Sequence, residues 1–445
     1  MRDSAPLLAV SHRRVDAHDD DTRLGVSTSF TQHPALRSTT LLRTVLAIQS
    51  LLVRGSGFDD FGLVVDVAPA WRIPRCGDCG GIARSVHDQR ERFWRHLDGA
   101  GMFVKLRYAI RRVHCPACAG VKTEQVPWAS PGCNFTHAFE ERVAFLAQQS
   151  SKTAVSKLMR VTWRTVGGII SRVVGRHLDA GEDRLEGLRH IGIDELSYRK
   201  HHQYVTVVID HERGVVVWSQ RGKSADTLRA FFEDLGPERC KLIESATIDM
   251  SAAYISAVGE MIPDAKMIFD RFHVQRLVQN ALDETRRDEV REAPDTEGKR
   301  ALKHTRWCLL KSPWNLTEAE SKGLEGLEEA NKSLYRGYLL KESFAGILDR
   351  RQIYVAQEML TAWVKDAKCS GLAHFERVAG TIERHMDGIL EYVRTRFSNG
   401  RTEGLNGKIR TITRRSFGFH SATALISMIF LCCGGVHVTP AFSRP

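Results

Sequence analysis

The sequence lacks an apolar stretch long enough to cross a membrane. Its longest apolar run, Ala422–Cys433, is interrupted by Thr423 and Ser427 and is far shorter than the roughly 20 residues that a spanning helix needs. We therefore predict a buried helix there and no membrane partner. Residues 1–35 have neither the order of a signal peptide nor a sustained hydrophobic period, so we predict a disordered extension and a cytoplasmic protein. No internal repeat is evident, which excludes a repeat architecture.

Cysteine is too sparse for a secreted disulfide scaffold, with ten cysteines among 445 residues. Four of them form two CxxC pairs, Cys76 with Cys79 and Cys115 with Cys118, a pattern that favours metal binding in a reducing compartment. Each pair directs two thiolates at one centre, and two pairs complete a tetrahedral zinc site with no open position, so we predict structural Zn²⁺. Phe103–Val113 between them resembles a strand, as a zinc ribbon needs. Buried apolar cysteines without metal are the alternative.

Negative charge is in deficit, because 64 Lys and Arg outnumber 53 Asp and Glu and give a net charge of +11 and a pI near 9.2. Basic surfaces attract polyanions such as nucleic acid. Arginines crowd the segment between the CxxC pairs, and we predict phosphate contacts from Arg95, Arg111 and Arg112. A solvated basic face is the alternative for any one of them. An amphipathic helix over residues 39–53 and this zinc ribbon together make a predicted domain at 36–135.

Three predicted helices follow in a second domain, residues 136–184. They are Ala138–Gln149, Thr153–Met159 and Thr162–Val174, and the short break before the last one is typical of a helix-turn-helix motif with Thr162 as the N-cap. Its candidate DNA-facing residues are Trp163, Arg164 and Arg172. An ordinary three-helix packing unit is the alternative.

The chain from 185 to 285 alternates predicted strands and helices. The strands are Ile191–Asp194, Tyr204–Asp210, Val215–Gln220, Leu242–Asp249 and Lys266–Phe269, and their order with the helices is that of the ribonuclease-H-like fold. Because the first and fourth strands are neighbours in that fold, Asp194 and Asp249 are expected to lie about one strand spacing apart. Two carboxylates that close repel each other unless a cation lies between them, and oxygen ligands suit Mg²⁺.

A predicted α-helical insertion occupies residues 286–396, and the core resumes at 397–445. There Leu405, Ile409 and Ile412 form an apolar stripe on a helix, which leaves Glu403 and Asn406 on the other side. We predict that Glu403 joins the two aspartates; a surface ion pair is the alternative. Further DNA contacts are predicted from Arg401, Lys408 and Arg410. Residues that could orient a ligand are Asp270, His273 and Asn406.

Five short motifs in this order resemble an insertion-sequence transposase of the ISL-three (ISL3) family. They are the two CxxC pairs, Gly192-Ile193-Asp194-Glu195, Ile248-Asp249-Met250, Asp270-Arg271-Phe272-His273 and the segment from Ser398 to Asn406. The resemblance covers roughly residues 39–435. It implies a DDE triad of Asp194, Asp249 and Glu403, with Mg²⁺ or Mn²⁺ as two catalytic ions.

The resemblance also implies a reaction and its partners. The enzyme would bind the terminal inverted repeats, hydrolyse the DNA ends and join the freed 3′-OH groups to target DNA by in-line phosphoryl transfer. Pairing two ends implies at least a homodimer, acting at the bacterial nucleoid. The fold class is then multidomain α+β: a zinc ribbon and helix-turn-helix, followed by a ribonuclease-H-like α/β core with a five-stranded mixed sheet, interrupted by the helical insertion.

Three other functions remain open from the sequence. The main alternative is a zinc-dependent DNA-binding regulator whose nuclease-like core is inactive, and such a protein would not need the three acids. A structure-specific nuclease would cut DNA without joining it. A hydrolase acting on another substrate is disfavoured by the zinc ribbon and the positive charge.

Overall fold

The structure, a computed structural model, describes residues 38–438 apart from 182, 200–202, 294, 398–399 and 417–418. Within its helices and strands, the side chains of 199, 297, 298, 301, 304, 400–403 and 406 are also outside the description. The predicted disordered extension, residues 1–35, lies outside the described residues. Two compact units are present, one made of the chain up to Phe93 with Val104–Pro127, the other of Trp94–Phe103 with the chain from Trp128 onward.

The first unit is built on antiparallel strands. Its elements are α1 (Ser38–Leu46), β1 (Leu51–Asp59), β2 (Gly62–Pro69), β3 (Ser85–Gly99), β4 (Met102–Cys115) and β5 (Gly120–Thr123), with sheet order β1-β2-β4-β3 and β5 paired to β4. The predicted helix over 39–53 is wrong beyond Leu46. Ala47 and Ser50 adopt positive φ angles of 51° and 57°, and this turn ends the helix. The apolar residues after it pair with β2 instead.

The second unit begins with three helices, α2 (His137–Gln149), α3 (Lys152–Met159) and α4 (Trp163–Ala180). Hydroxyl oxygens cap all three, because Thr136, Ser151 and Thr162 each accept a hydrogen bond from a backbone N–H in the first turn. The prediction placed the helix starts within a residue of those observed and the third helix end six residues too early.

A five-stranded mixed sheet follows, as predicted. Its strands are β6 (His190–Arg199), β7 (Gln203–Asp210), β8 (Val215–Arg221), β9 (Ser245–Ile248) and β10 (Lys266–Phe269), in the order β10-β9-β6-β7-β8. β10, β9 and β6 pair in parallel, whereas β7 pairs antiparallel with both of its neighbours, β6 and β8. Two strand predictions are corrected. β9 is shorter than the predicted Leu242–Asp249, because its pairing with β6 and β10 begins at Ser245 and the strand ends at Ile248. β6 continues five residues beyond Asp194, because Glu195 and Leu196 go on pairing with β7. Asp194 therefore lies in the middle of its strand.

Both faces of this sheet are covered. One face packs against α5 (Ala225–Leu235), α6 (Pro237–Cys240), α7 (Ala252–Met261) and α8 (Arg271–Glu292) through residues such as Ile191 and Ile193. The other face packs against α16 (Gly400–Arg415), α17 (Ala422–Cys433) and α4 through Leu196 and Val207. The three-helix region therefore shares one hydrophobic core with the sheet.

The inserted segment is entirely helical where it is described. It contains α9 (Thr296–His304), α10 (Arg306–Leu310), a 3₁₀ turn (Pro313–Asn315), α11 (Glu318–Ala330), α12 (Lys332–Leu348), α13 (Ile353–Lys368), α14 (Ala373–Arg384) and α15 (Met386–Thr395). Within this predicted helical insertion, Asn331 separates α11 from α12 and its side chain caps α12, and His385 separates α14 from α15. The insertion was predicted to begin at residue 286, but α8 continues through that position without a break. No helix among the described residues is long and apolar enough to span a bilayer.

Candidate active site and metal centre

The four predicted zinc cysteines converge on one point. Their sulfur atoms all lie within 4.8 Å of one another. The Sγ atoms of Cys76 and Cys118 are 3.9 Å apart, and those of Cys79 and Cys115 are 3.5 Å apart. Four thiolates at tetrahedral Zn–S distances have sulfur atoms about 3.8 Å apart. The donor set and its spacing therefore fit Zn²⁺.

Backbone hydrogen bonds shape both cysteine turns. In the first, the Gly80 N–H donates to the Cys76 carbonyl at 2.9 Å. In the second, the Cys118 N–H points at the Cys115 sulfur at 3.4 Å. This N–H lowers the pKa of the Cys115 thiol to about 7, and a thiolate is the form that binds metal. The turns thus present pre-oriented sulfur ligands.

The predicted DNA-contacting arginines near the zinc cysteines are all engaged in ion pairs. Arg111 donates to fully buried Glu124, with a closest approach of 2.7 Å, and Arg112 pairs with Asp88. Arg95, only 14% exposed, pairs with Asp98 and stacks on Phe103 with 3.8 Å from its guanidinium carbon to the ring centre. Arg111 and Arg95 are therefore held in structural roles, which argues against them as phosphate ligands. Arg112 stays half-exposed and remains a candidate.

The candidate DNA-contacting residues of the helix-turn-helix also divide into exposed side chains and side chains held in ion pairs. Arg164 and Trp163 are exposed in the first turn of α4, the part of a recognition helix that reaches base edges. Arg172 instead binds buried Glu140 at 2.6 Å, and Arg176 binds the same carboxylate. Because Glu140 has no exposed surface, these arginines compensate its charge. The prediction of a DNA-facing Arg172 conflicts with this packing.

The pairing of β6 with β9 bears on the predicted approach of the two aspartates. The two strands pair in parallel as far as Gly192 opposite Thr247. If the same register continued for two more residues, Asp194 would be level with Asp249 at about one strand spacing, roughly 4.8 Å. Asp249 comes immediately after β9, and its Oδ1 accepts a hydrogen bond from the Ser251 N–H at 3.0 Å. Both acids are half-buried.

Electrostatic effects on neighbouring groups agree with this placement. Burial raises the pKa of the Tyr254 hydroxyl, and the charges of Glu195, Asp249 and Asp194 add to the increase. The Tyr254 hydroxyl oxygen lies 3.0 Å from the hydroxyl oxygen of Thr206. Thr206 is the residue of β7 that pairs with Glu195 of β6. The Tyr254 hydroxyl therefore lies close enough to all three carboxylates for their charges to act on it.

Glu195 projects from the face opposite to Asp194, because side chains alternate along a strand. Burial raises the pKa of Glu195; Lys223 and His273 lower it, whereas Asp249 raises it. His273 thus lies near this acid group, as its predicted orienting role requires. Lys223 was not predicted; it follows β8 after Gly222, and nothing in its local sequence distinguishes it from other surface lysines.

Asp270 occupies the next strand end along the sheet. Phe269 pairs with Ile248, so Asp270 follows β10 just as Asp249 follows β9. Its N–H donates to the Ile248 carbonyl at 3.0 Å, and the residue is 3% exposed. A buried carboxyl beside Asp249 suits the predicted orienting role.

The third predicted acid belongs to α16, which packs on the face of the sheet that carries Asp194. Leu405, Ile409 and Ile412 of this helix join the core formed with Leu196 and Val207. The backbone of Glu403 is in the first turn of α16; its side chain, like those of Arg401 and Asn406, is outside the described residues. The stripe predicted from the sequence is therefore the buried side of the helix.

Two other features fix α16. Before it, the ring of Phe397 stacks on His190 at 4.7 Å and on His211 at 5.8 Å between ring centres, a contact that the sequence did not suggest. Of the predicted DNA contacts, Lys408 donates to the Cys432 carbonyl, whereas Arg410 is exposed. Arg410 is thus the better placed for a phosphate.

Comparisons with known proteins agree with this organisation. Residues 72–118 match the profile described as a zinc-finger of transposase IS204/IS1001/IS1096/IS1165, residues 124–174 match the helix-turn-helix domain of transposase family ISL3, and residues 191–429 match the ISL3 transposase DDE domain. The chain is 38% identical over 387 residues to the transposase for insertion sequence element IS1557 of Mycobacterium tuberculosis, covering 82% of this chain and 86% of that protein. It is 28% identical over 359 residues to the transposase for IS1001 of Bordetella parapertussis, covering 80% and 88%. The chain belongs to the ISL3 family of insertion-sequence transposases.

Proposed function

We propose that this transposase binds the terminal inverted repeats of its element, cleaves the DNA ends and joins the freed 3′-OH groups to target DNA. The observation that supports the proposal is the parallel pairing of β6 with β9 up to Gly192 and Thr247, a register whose continuation by two residues would align Asp194 with Asp249. The order of the five strands, with the first and fourth adjacent, also supports a ribonuclease-H-like core. Glu403, from the helix that covers Asp194, is the proposed third acid.

The proposed roles follow from position. Asp194 lies within β6, where it pairs with Val207 of β7 two residues past the last pair with β9, so its backbone is fixed in the sheet. Asp249 is oriented by the Ser251 N–H. The carboxylate oxygens of these residues and of Glu403 suit Mg²⁺ or Mn²⁺, and two such ions would supply charge neutralisation at the attacking and leaving oxygens of the phosphodiester. Buried Asp270 holds the neighbouring strand end in place.

DNA recognition is assigned to the front of the chain. Arg164 and Trp163 open the proposed recognition helix, and the structural Zn²⁺ module gives a second contact surface through Arg112. A synapse of two element ends requires at least two copies of the protein. On these assignments, variants of the proposed catalytic acids should lose DNA cleavage and still bind the element ends.

The test uses purified full-length protein, a duplex carrying an element end, and supercoiled target DNA with MgCl₂. Asp194→Asn, Asp249→Asn and Glu403→Gln should each abolish end cleavage and joining while end binding, followed by fluorescence anisotropy, stays within about twofold. Asp226→Asn, an exposed acid on α5, serves as the control and should react like the wild type. Joining at the wild-type rate by any triad variant would remove that residue from the triad. If all three variants keep the wild-type activity, the alternative function of a DNA-binding regulator is favoured.

A further inference from the structure

The helical insertion carries a basic face to which neither the zinc module nor the helix-turn-helix contributes. Residues 299–311 contain five Lys or Arg and no Asp or Glu. Lys299, Arg300 and Lys303 of α9 are exposed, and the structure shows no ion pair for them among the residues that it describes. Arg306, 44% exposed, and Trp307, 64% exposed, follow at the start of α10.

The four exposed cations from Lys299 to Arg306, together with Trp307, share one side of a nearly continuous helical stretch. α9 and α10 are separated by a single residue, Thr305, whose φ and ψ of −72° and −11° keep the helical direction. At about 100° per residue, Lys299, Arg300, Lys303, Arg306 and Trp307 fall within an arc of roughly 120°. The opposite side is buried through Cys308 and Leu309. We call the five exposed residues the α9–α10 face.

The charge of the face is only partly compensated by the helix beneath it. Asp283 of α8 pairs with Arg286 at 2.8 Å, with Arg287 at 2.7 Å and with Arg306 of the face at 3.3 Å. No acid among the described residues forms an ion pair with the three α9 cations, Lys299, Arg300 and Lys303. By contrast, α11, elsewhere in the insertion, contains five glutamates. The insertion thus segregates its charge, which a uniformly solvated surface would not require.

The face is also held rigidly. Lys341 of α12 is 6% exposed, and its ammonium group donates to the Leu309 carbonyl at 2.9 Å and to the Lys311 carbonyl at 2.8 Å. These bonds cap the C-terminal end of α10, where carbonyls lack helical partners. Lys311 in turn pairs with Glu320 at 2.7 Å. A fixed frame presents the cations and the indole of Trp307 in one arrangement.

We propose that the α9–α10 face binds the target DNA duplex through its phosphates. Lysine and arginine spaced along a helix contact the DNA backbone without reading sequence, and the face has no Asn or Gln for adenine readout. In the proposed reaction the target is the duplex that must be held without a fixed sequence. The inference therefore rests on the proposed function for the identity of the duplex, and on the charges alone for DNA binding.

The path along α8 fits this assignment. α8 starts at Arg271, directly after the strand end beside Asp249, and Asp283 under Arg306 is twelve residues farther on, about 18 Å along the helix axis. One turn of B-form DNA is about 34 Å long. The axial distance from the start of α8 to Asp283 is therefore shorter than one turn of a DNA duplex.

The test compares two triple variants of the full-length protein with the same net charge. Lys299→Ala/Arg300→Ala/Lys303→Ala removes cations of the face, and Lys322→Ala/Lys365→Ala/Lys368→Ala removes exposed lysines elsewhere on the insertion. Each binds a fluorescent 30-base-pair duplex without element-end sequence, followed by anisotropy over a range of salt concentrations. The first should lose at least tenfold in affinity, and its slope of log K against log salt should flatten by about 2–3, since each phosphate contact contributes about 0.9. The second should behave like the wild type.

Three further readouts define what overturns the proposal. Trp307→Ala should weaken binding a few fold without changing the salt slope, whereas Tyr354→Ala, which removes an even more exposed aromatic side chain on α13, should not weaken binding. In strand transfer, the first triple variant should need more target DNA for half-maximal joining while cleaving ends at the wild-type rate. Equal loss in both triple variants, or no loss, overturns the DNA-binding face. Loss of end binding with target binding retained overturns the target assignment. The anisotropy assay measures DNA binding and does not depend on cleavage or joining. If the triad variants still cleaved DNA, the proposed function would be refuted, but the binding result for the α9–α10 face would stand.

Discussion

The Asp194–Asp249 pair should destabilise the protein when no cation is bound. Continuing the β6–β9 register to the two acids gives a separation of about 5 Å, and at an effective dielectric constant near 20 the repulsion between their carboxylates would be about 3 kcal/mol. Both side chains are half-exposed, so solvent reduces this to about 1–2 kcal/mol. Asp249→Asn removes the repulsion but keeps the Oδ1 acceptor for the Ser251 N–H. The variant should therefore melt a few degrees above the wild type in metal-free buffer.

Differential scanning fluorimetry with and without MgCl₂ measures this effect. Metal-depleted buffer is preferable to a chelator, because a chelator would also strip the cysteine site. Mg²⁺ should raise the melting temperature of the wild type, since binding to the native state stabilises it, and should leave Asp249→Asn nearly unchanged. Asp226→Asn controls for the loss of any one acid. If Mg²⁺ shifts Asp249→Asn as much as the wild type, the two aspartates do not share a cation and the register argument is refuted.

Three other predictions concern the recognition modules. Cys115→Ser should release the bound zinc, measured with a colorimetric chelator, and lower the melting temperature of the first unit, because one of four ligands is lost; retained zinc would contradict the site. Glu140→Gln should lower the free energy of unfolding in urea by about 2–3 kcal/mol, since it leaves Arg172 and Arg176 beside an uncharged, buried partner; an unchanged midpoint would disprove the buried ion triad. Arg164→Ala should weaken end binding and flatten its salt slope by about 1, as loss of one phosphate contact requires; wild-type anisotropy titrations would exclude it.

Much of the architecture could be predicted because local patterns and tertiary packing agree. The third helix of this region was predicted with Thr162 as its N-cap, and the structure shows the Thr162 side chain accepting a hydrogen bond from the Thr165 N–H. The strands of the second sheet were found from short β-branched runs. In each case the residues that specify the element also bury its apolar side, so reading the chain locally was sufficient.

The errors arose where a pattern fits two structures. Leu51 and Leu52 continue a helical stripe, but a left-handed turn at Ala47 and Ser50 redirects them into β1. The end of β6 was placed at Asp194 because a charged pair usually marks a strand end; pairing with β7 carries the strand on. Side-chain partners were least accessible. Nothing near Arg172 in the sequence reveals Glu140, which is 32 residues away.

The packing of the second unit links DNA recognition to the proposed catalytic acids. α4 and the sheet face of Asp194 belong to one hydrophobic core, with α17 between them. α16 carries Glu403 in its first turn, and at its other end Arg415 donates to the Ala147 and Gln148 carbonyls at 2.9 and 3.2 Å, which closes the end of α2. A close-packed core transmits displacement instead of absorbing it. A shift of the helix-turn-helix on an element end would therefore move α16, and with it the third acid relative to Asp194. We therefore expect the packing of the second unit to couple the proposed DNA-binding helices to the position of the proposed third acid.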